Sequence, residues 1–232
     1  MILFIKELLS NLFLYTPSIY ANLISIKKNF NYEKYFYLKH INHGDIVFFI
    51  GANIGYFSKI SSILCGRTGC VYCFEPIYEN FLKLKNTLKN SKNVKLYNFA
   101  VGDENCIKHI SYDPNDCEKS SFISNFCKKP VLVQRLDDFV ELLEPKKINL
   151  IKCDVEGFEL HALLGMKKTL IKYKPVISLE ISVDMEQRLI IYDFLKSAGY
   201  KSFHKIELNF PKYNPHTLVD SSDNYFYLYA SY

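Results

Sequence analysis

A short glycine-rich loop between an apolar strand and a helix limits this chain to a small set of folds. Residues 46–50 are an apolar run that predicts a buried strand, and residues 51–55, Gly-Ala-Asn-Ile-Gly, interrupt it before a helical stretch. Residues 70–74 predict the next strand, and Glu75 ends it, twenty residues after Gly55. This order of elements is a parallel βαβ unit, so we expect an α/β sheet.

The residue types in this unit indicate what it binds. Glycines let a ligand approach the backbone closely, and an acid at the end of the second strand accepts hydrogen bonds from ribose hydroxyls. The dinucleotide pattern G-x-G-x-x-G is absent, because Asn53 and Tyr56 occupy its second and third glycine positions. The loop therefore argues against NAD and favours the shorter glycine loop of S-adenosylmethionine enzymes.

Strands and helices alternate along the rest of the chain. Further strands are predicted at 94–99, 148–153 and 175–182, and helices near 55–65, 77–90, 157–172 and 185–198. Two short strands, 106–112 and 131–134, interrupt this rhythm around a polar loop, and 201–208 pairs with 225–229 as a closing antiparallel pair. The pattern predicts an α/β, doubly wound, seven-stranded sheet that is mostly parallel, with an antiparallel terminal strand.

The N-terminal segment is apolar, but Lys6 and Glu7 lie inside it. Neither a signal peptide nor a membrane span of roughly 20 apolar residues is predicted. Apolar residues within 5–13 fit one helical face, which predicts a helix covering the core; peripheral membrane contact or a homodimer contact are the alternatives. We assign 1–40 to an N-terminal helical extension and 41–232 to the main domain, and expect a cytoplasmic protein, with attachment at a membrane surface as the alternative.

The net charge of +5 does not by itself indicate nucleic acid as a partner. The densest basic stretch, between Lys83 and Lys95, spreads around a helix and its exit turn, which is typical of a solvated face. Cys65, Cys70 and Cys73 have the spacing of iron–sulfur ligands. However, the last two lie on a predicted strand and point to opposite faces. We interpret the cysteines as free, small buried hydrophobic residues.

Acidic residues follow the strand predicted at 148–153. Asp154 and Glu156 flank one residue, Gly157 comes next, and Glu159 adds a third acid in the first turn of the following helix. Helix capping by Asp154 alone is the structural alternative. Capping does not explain three acids around one glycine, so we interpret the segment as functional.

From about Gly44 to Ile181 the sequence resembles the FkbM family of S-adenosylmethionine-dependent methyltransferases. The resemblance rests on GANIGYFS at 51–58, FEP at 74–76, AVGD at 100–103, RLDD at 135–138 and KCDVEGFE at 152–159. It implies a class I methyltransferase fold and O-methylation of a hydroxyl on a sugar, glycolipid or related small acceptor. Nucleic acid is not expected as a partner.

The resemblance also implies the roles of individual residues. It implies a ribose contact from Glu75 and an adenine-side contact near Asp103. The full set of implied cofactor contacts is Gly51, Ala52, Asn53, Gly55, Tyr56, Glu75, Pro76, Val101, Gly102, Asp103 and Asp154. The predicted catalytic residues are Asp154, then Glu156, with Glu180 and His161 as further candidates. Three of these acids would also suit a divalent metal, although no metal is predicted.

One position departs from the family pattern. The family usually carries an acid two residues ahead of the first glycine, where it helps to hold the ammonium group of the methionine end, and here that residue is Phe49. The departure favours one alternative to an O-methyltransferase, a catalytically weak binding or assembly module. A separate alternative is an N-methyltransferase that acts on a macromolecule.

Overall fold

A large mixed sheet and a small sheet carry the helices of this protein. The computed structural model describes residues 31–111, 128–182, 184–207, 209–215 and 225–232. The strands are β1 (Ile46–Ile50), β2 (Cys70–Phe74), β3 (Val94–Tyr97), β4 (Ala100–Val101), β5 (Cys106–Ser111), β6 (Lys128–Gln134), β7 (Leu150–Cys153), β8 (Val176–Ser182), β9 (Ser202–Lys205) and β10 (Tyr225–Ser231). The helices of the described residues are α1 (Tyr32–His40), α2 (Tyr56–Cys65), α3 (Tyr78–Leu88), α4 (Leu136–Leu143), α5 (Glu159–Gly165), α6 (Lys167–Tyr173) and α7 (Met185–Ser197).

The strand order of the large sheet is β3-β2-β1-β7-β8-β10-β9. Neighbours from β3 to β8 are parallel, whereas β10 runs antiparallel to both β8 and β9. This confirms the predicted doubly wound sheet of seven strands. The order reverses between β1 and β7, and ligands of open α/β sheets bind outside the carboxyl ends of the strands at such a switch point.

The two faces of the sheet pack against separate apolar layers. Phe48 and Ile151 belong to a cluster on one face, together with Leu163 and Leu195 from the helices that cover it. Phe49 belongs to a cluster on the other face with residues of α1, α2 and α3. Strands that are buried on both faces have continuous apolar sequences, which explains why β1 was predictable from hydrophobicity.

The helix predicted at 157–172 is divided in the structure, which corrects the prediction. Helix α5 ends at Gly165 and α6 begins at Lys167. A Cβ atom at Gly165 would lie 1.8 Å from the carbonyl oxygen of Gly102, after β4. The break therefore coincides with a close approach between two backbone segments, which hydrophobic periodicity does not reveal.

Helix α4 is an addition to the predicted elements. Leu136 and Val140 are buried one turn apart on it. Asp137, in its first turn, accepts hydrogen bonds of 2.8 Å from both the backbone nitrogen and the hydroxyl of Thr169. The helix is short, and this tertiary bond to α6 helps to fix it in place.

The small sheet has the order β4-β6-β5. The short strands predicted at 106–112 and 131–134 are present as β5 and β6. They pair antiparallel, and β6 begins earlier than the sequence indicated, at Lys128. The polar loop between them, 112–127, lies outside the described residues.

Helix α1 leads directly into the core. Phe36 and Tyr37 are fully buried, and the Tyr37 ring packs on Phe49 with 5.7 Å between ring centroids. The helix predicted within residues 5–13 lies outside the described residues, so its role as cover, membrane contact or dimer contact stays a prediction. Across the ranges that the structure describes, no helix is both long and apolar enough to cross a membrane.

The cysteines of the described ranges are free. Cys65 and Cys73 are buried, and burial raises the pKa of each thiol to about 12. A thiol with so high a pKa is unreactive at neutral pH. These two residues therefore behave as small hydrophobic side chains, which agrees with the interpretation from the sequence.

Candidate active site

A cavity of about 620 Å³ opens at the carboxyl ends of β1, β2 and β7. Ten predicted site residues line it: Gly51, Ala52, Asn53, Gly55, Tyr56, Glu75, Pro76, Val101, Asp154 and Glu156. Binding pockets for small molecules usually measure about 300–1,000 Å³. The cavity therefore has room for a nucleoside cofactor and part of an acceptor.

The glycine loop forms one side of the cavity. Gly51, Asn53 and Gly55 have positive φ angles of 80°, 48° and 88°. A Cβ at Gly51 would lie 1.8 Å from the carbonyl oxygen of Asp154, so only glycine lets the end of β1 approach the end of β7 this closely. The Oδ1 atom of Asn53 is buried and has no hydrogen-bond partner among the described residues, so it is available to a donor group of a bound ligand.

Glu75 closes the next side of the cavity, at the end of β2. Its Oε2 accepts the backbone N–H of Asn53 at 2.8 Å, and its Oε1 accepts that of Ile77 at 2.9 Å. Glu75 is only 4% exposed, and burial raises its pKa to about 7, against the opposing effect of these two hydrogen bonds. Because a carboxylate oxygen accepts more than one hydrogen bond, Glu75 retains acceptor capacity for ribose hydroxyls.

Three carboxyl groups lie close together beyond the ends of β7 and β8. One oxygen from each of Asp154, Glu156 and Glu180 lies within 4.8 Å of the others. Asp154 and Glu156 line the cavity, whereas Glu180, on β8, is not part of its wall and is 9% exposed. Glu156 has a positive φ of 52°, a strained conformation that turns the chain between β7 and α5.

The three acids do not all carry a charge. Burial, then the hydrogen bond and the charge of Asp154, raise the pKa of Glu180 to about 10. Burial opposes ionisation of Asp154, but the Lys152 ammonium and the Glu180 hydrogen bond hold its pKa below the usual value. Asp154 is therefore the carboxylate and Glu180 the neutral acid at pH 7. Oxygen atoms grouped in this way could also hold a divalent cation.

Lys152 is the main functional candidate that the sequence analysis did not single out. Its ammonium nitrogen lies 2.7 Å from Glu33 Oε1 and 2.9 Å from Asp154 Oδ2, and the residue is 5% exposed. Burial lowers its pKa, but the two carboxylates outweigh that effect and raise it. The ammonium also lies over the rings of Phe57, at 4.7 Å, and Tyr227, at 5.7 Å. A lysine inside a buried apolar strand, two residues before an acid, was the available signal.

Residues from both ends of the described chain complete the cavity wall. Glu33 comes from the first turn of α1, and Tyr227 comes from β10. Burial, followed by the charges of nearby acids, of which Asp154 contributes most, raises the pKa of the Tyr227 hydroxyl. Neither residue has a local motif, so only the tertiary structure could bring them to the site.

Four predicted site residues are not in the cavity wall: Gly102, Asp103, His161 and Glu180. Asp103 and His161 pair with each other, at 2.9 Å between Oδ2 and Nδ1, and the His161 ring stacks on Phe158. A contact between Asp103 and adenine, and a role for His161 as a base, stay predictions.

Glu159 has a structural position within the acidic segment. It is 3% exposed, and its Oε1 accepts the backbone N–H groups of Gly157, at 3.0 Å, and Val155, at 3.3 Å. These bonds stabilise the strained turn that presents Asp154 and Glu156 to the cavity. We therefore expect Glu159 to position the other two acids.

The fold is that of the class I methyltransferases, which use S-adenosylmethionine. The model of the methyltransferase FkbM domain matches residues 50–202, about two thirds of the sequence, and the chain belongs to this family.

Two methyltransferases and a fibrillarin are also similar to this chain. The hexuronic acid methyltransferase AglP of Haloferax volcanii is 25% identical over 135 residues, which are 57% of this chain and 54% of that protein. The crystal structure of the FkbM methyltransferase from Methylobacillus flagellatus has a TM-score of 0.56 at 19% identity, over 80% of this chain and 43% of that one. The fibrillarin of Aeropyrum pernix, crystallised with bound S-adenosyl-L-methionine, has a TM-score of 0.52 at 12% identity, over 83% and 68%. The chain spans about half the length of AglP, the curated relative that it matches.

The residues that line the cavity fit S-adenosylmethionine. Glu75 offers acceptor capacity for ribose hydroxyls, and the buried Oδ1 of Asn53 can accept a hydrogen bond from the ligand. Phe99 and Val101 are apolar residues of the wall that suit an adenine ring, while Asp154, after β7, offers negative charge. A cationic cofactor with an apolar base matches this distribution.

Proposed function

We propose that this protein transfers a methyl group from S-adenosylmethionine to a hydroxyl oxygen of a sugar, glycolipid or related small acceptor. The observation that carries the proposal is that Asp154 and Glu156 line the same cavity as Glu75 and the glycine loop. The acids proposed to bind the acceptor hydroxyl and the residues proposed to bind the cofactor therefore line the same cavity. The similarity to AglP supports a sugar as the acceptor.

The charge of the cavity favours a neutral hydroxyl over an anionic carboxylate as the acceptor group. Asp154 and Glu156 would face the incoming group, and Lys152 is already paired with Asp154 and Glu33. Like charges brought together in a partly buried site cost several kcal/mol. Carboxylates also accept hydrogen bonds from the hydroxyls that sugars carry in quantity.

In the proposed mechanism the protein mainly orients the acceptor. When bound, S-adenosylmethionine supplies a methyl group on a strongly electrophilic sulfonium. Asp154, held by Lys152 at 2.9 Å, accepts a hydrogen bond from the acceptor hydroxyl and fixes its direction of attack. As the oxygen–carbon bond forms and the sulfur–carbon bond breaks, the hydroxyl proton passes to Asp154 and from there to solvent. Positioning of this kind supplies roughly 7–11 kcal/mol, whereas a general base contributes about 10²–10⁴-fold. Since the pKa of Asp154 is lowered, it is a weak base, and orientation dominates.

A methyl-transfer assay tests the proposal. The protein is incubated with methyl-labelled S-adenosylmethionine and with p-nitrophenyl glucoside or p-nitrophenyl glucuronide, and in parallel with lipid, protein and nucleic acid fractions. Label on the neutral glycoside or on glycolipid supports the proposal. Label found only in protein or nucleic acid would overturn the assignment, and binding without transfer to any fraction would favour the binding module.

Asp154→Asn tests the role of the central carboxylate. We expect turnover to fall about 10²-fold or more, with a much smaller change in the affinity for S-adenosylhomocysteine. Glu186→Gln, which removes an exposed acid on α7, is the control and should leave both unchanged. Equal losses of turnover and affinity would show that Asp154 binds the cofactor rather than the acceptor.

A further inference from the structure

Strand β1 brings no acid to the cavity at the position where the resemblance places one. Phe49 lines the cavity there, is 1% exposed and packs on Tyr37. Its register partner on β7 is Lys152, so the two side chains are neighbours on the same face of the sheet. This part of the wall therefore combines an apolar ring with a buried cation.

Helix α1 brings an acid to the same place. Glu33 Oε1 lies 2.7 Å from Lys152 Nζ and accepts the hydroxyl of Tyr37 at 2.9 Å. The Tyr37 side chain therefore contacts both residues: its hydroxyl bonds to Glu33 and its ring packs on Phe49. Both bonds end on Oε1, and Glu33 is part of the cavity wall.

The charges around Lys152 do not balance. Glu33 and Asp154 both pair with this one ammonium, and within the described ranges the structure records no other cationic side chain in an ion pair with either. Glu180, which also touches Asp154, is neutral and does not change the count. Two carboxylates and one ammonium leave one negative charge in a mostly buried site, and buried charge is stable only when it is compensated.

We propose that Glu33 holds the ammonium group of the methionine end of S-adenosylmethionine, in place of the acid that position 49 lacks. Glu33 then binds two cations, Lys152 through Oε1 and the cofactor ammonium through its remaining acceptor capacity. Tyr37 and Lys152 act as positioning residues that hold the carboxylate toward the cavity. The inference rests on the cofactor and is independent of the acceptor.

Calorimetry with two ligands tests this assignment. S-adenosylhomocysteine carries the amino-acid end, and 5′-methylthioadenosine lacks it. Glu33→Gln should weaken S-adenosylhomocysteine binding about 10–100-fold, because a charged hydrogen bond is lost. The affinity for 5′-methylthioadenosine should change less than about twofold. Glu141→Gln, an exposed acid on α4, should change neither.

The other outcomes are distinct. Equal weakening of both ligands would show that Glu33 serves only the structure of the site, and no change in either would show that it does not contact the cofactor; each overturns the proposal. If the wild-type protein binds neither ligand, the cofactor assignment itself fails. If the Glu33→Gln variant does not fold, Glu33→Asp replaces it in the test, because aspartate keeps a carboxylate that can pair with Lys152. The Asp variant should show the same preferential loss of S-adenosylhomocysteine, but a smaller one.

Discussion

A buried lysine with two carboxylate partners is the least expected residue in this site. Removing an ammonium group from water costs several kcal/mol, and Lys152 recovers this only because Glu33 and Asp154 both lie within 3 Å. The same arrangement fixes the direction of Asp154, one of the acids in the cavity wall. Lys152 therefore links the stability of the core to the geometry of the cavity.

Lys152→Met should strongly destabilise the protein. It leaves two buried carboxylates without their cation, a change that costs about 3–5 kcal/mol. Without the lysine, burial would raise the pKa of Asp154 above its unfolded value, so the loss should shrink as the pH falls. Urea denaturation at pH 7 and pH 5 measures this, with the exposed Lys172→Met as control. A loss below about 1 kcal/mol at pH 7 would contradict the ion pairing described here.

Cofactor affinity should depend on pH through Glu75. Because burial raises its pKa to about 7, the carboxyl group is largely protonated at pH 6 and largely ionised at pH 8. The ionised form accepts both ribose hydroxyls, so the affinity for S-adenosylhomocysteine should rise about tenfold between these pH values. In the free protein the same raised pKa lowers stability as the pH rises through this range.

The control for this pH dependence is Glu75→Gln. Its side chain has no titrating group, so its affinity should be weaker and should not change with pH between 6 and 8. Calorimetric titration at three pH values compares the two proteins. An unchanged slope in the variant would assign the titration to another residue.

At the scale of elements, the site depends on where strands end and how closely their backbones approach. The loop after β1, Glu75 after β2 and the acids after β7 all lie at one edge, because the strands are parallel and adjacent. Close approaches such as Gly51 to Asp154 and Gly165 to Gly102 bring the turns together. Each depends on a position that carries no side chain.

Gly165→Ala tests one of these approaches. Helix propensity alone predicts that alanine stabilises a helix by about 0.5–1 kcal/mol relative to glycine. Here the added Cβ would lie 1.8 Å from the Gly102 carbonyl oxygen, so the structure predicts the opposite sign, a loss of roughly 1–3 kcal/mol. The midpoint of urea denaturation decides between them, with Lys168→Ala on α6 as control. Any gain in stability would disprove the close contact.

At the scale of the whole molecule, the cavity collects residues from distant parts of the sequence. Glu33 and Tyr227 meet around Lys152, although almost the whole described chain separates them. A ligand that fills the cavity therefore binds the folded state only. Its binding should stabilise the domain as a unit rather than a single loop.

S-adenosylhomocysteine should therefore raise the melting temperature. At a free concentration of about 100 times its dissociation constant, a ligand adds about 2.7 kcal/mol, or roughly 5–10 °C for a domain of this size. Differential scanning fluorimetry measures the shift, with adenine as a control for non-specific effects. No shift at millimolar concentration would argue against the cofactor assignment.

The sequence alone determined the strands of the large sheet, the glycine loop and the positions of Glu75, Asp154 and Glu156 in the chain. Buried parallel strands are continuous apolar runs, and the residues that end them follow in the chain, so both are local properties. Tertiary structure decided the rest. It divided the helix at Gly165, paired Asp103 with His161, and brought Glu33 and Tyr227 to Lys152. Contacts between distant segments depend on packing and on the balance of buried charge, and neither leaves a periodic pattern in the sequence.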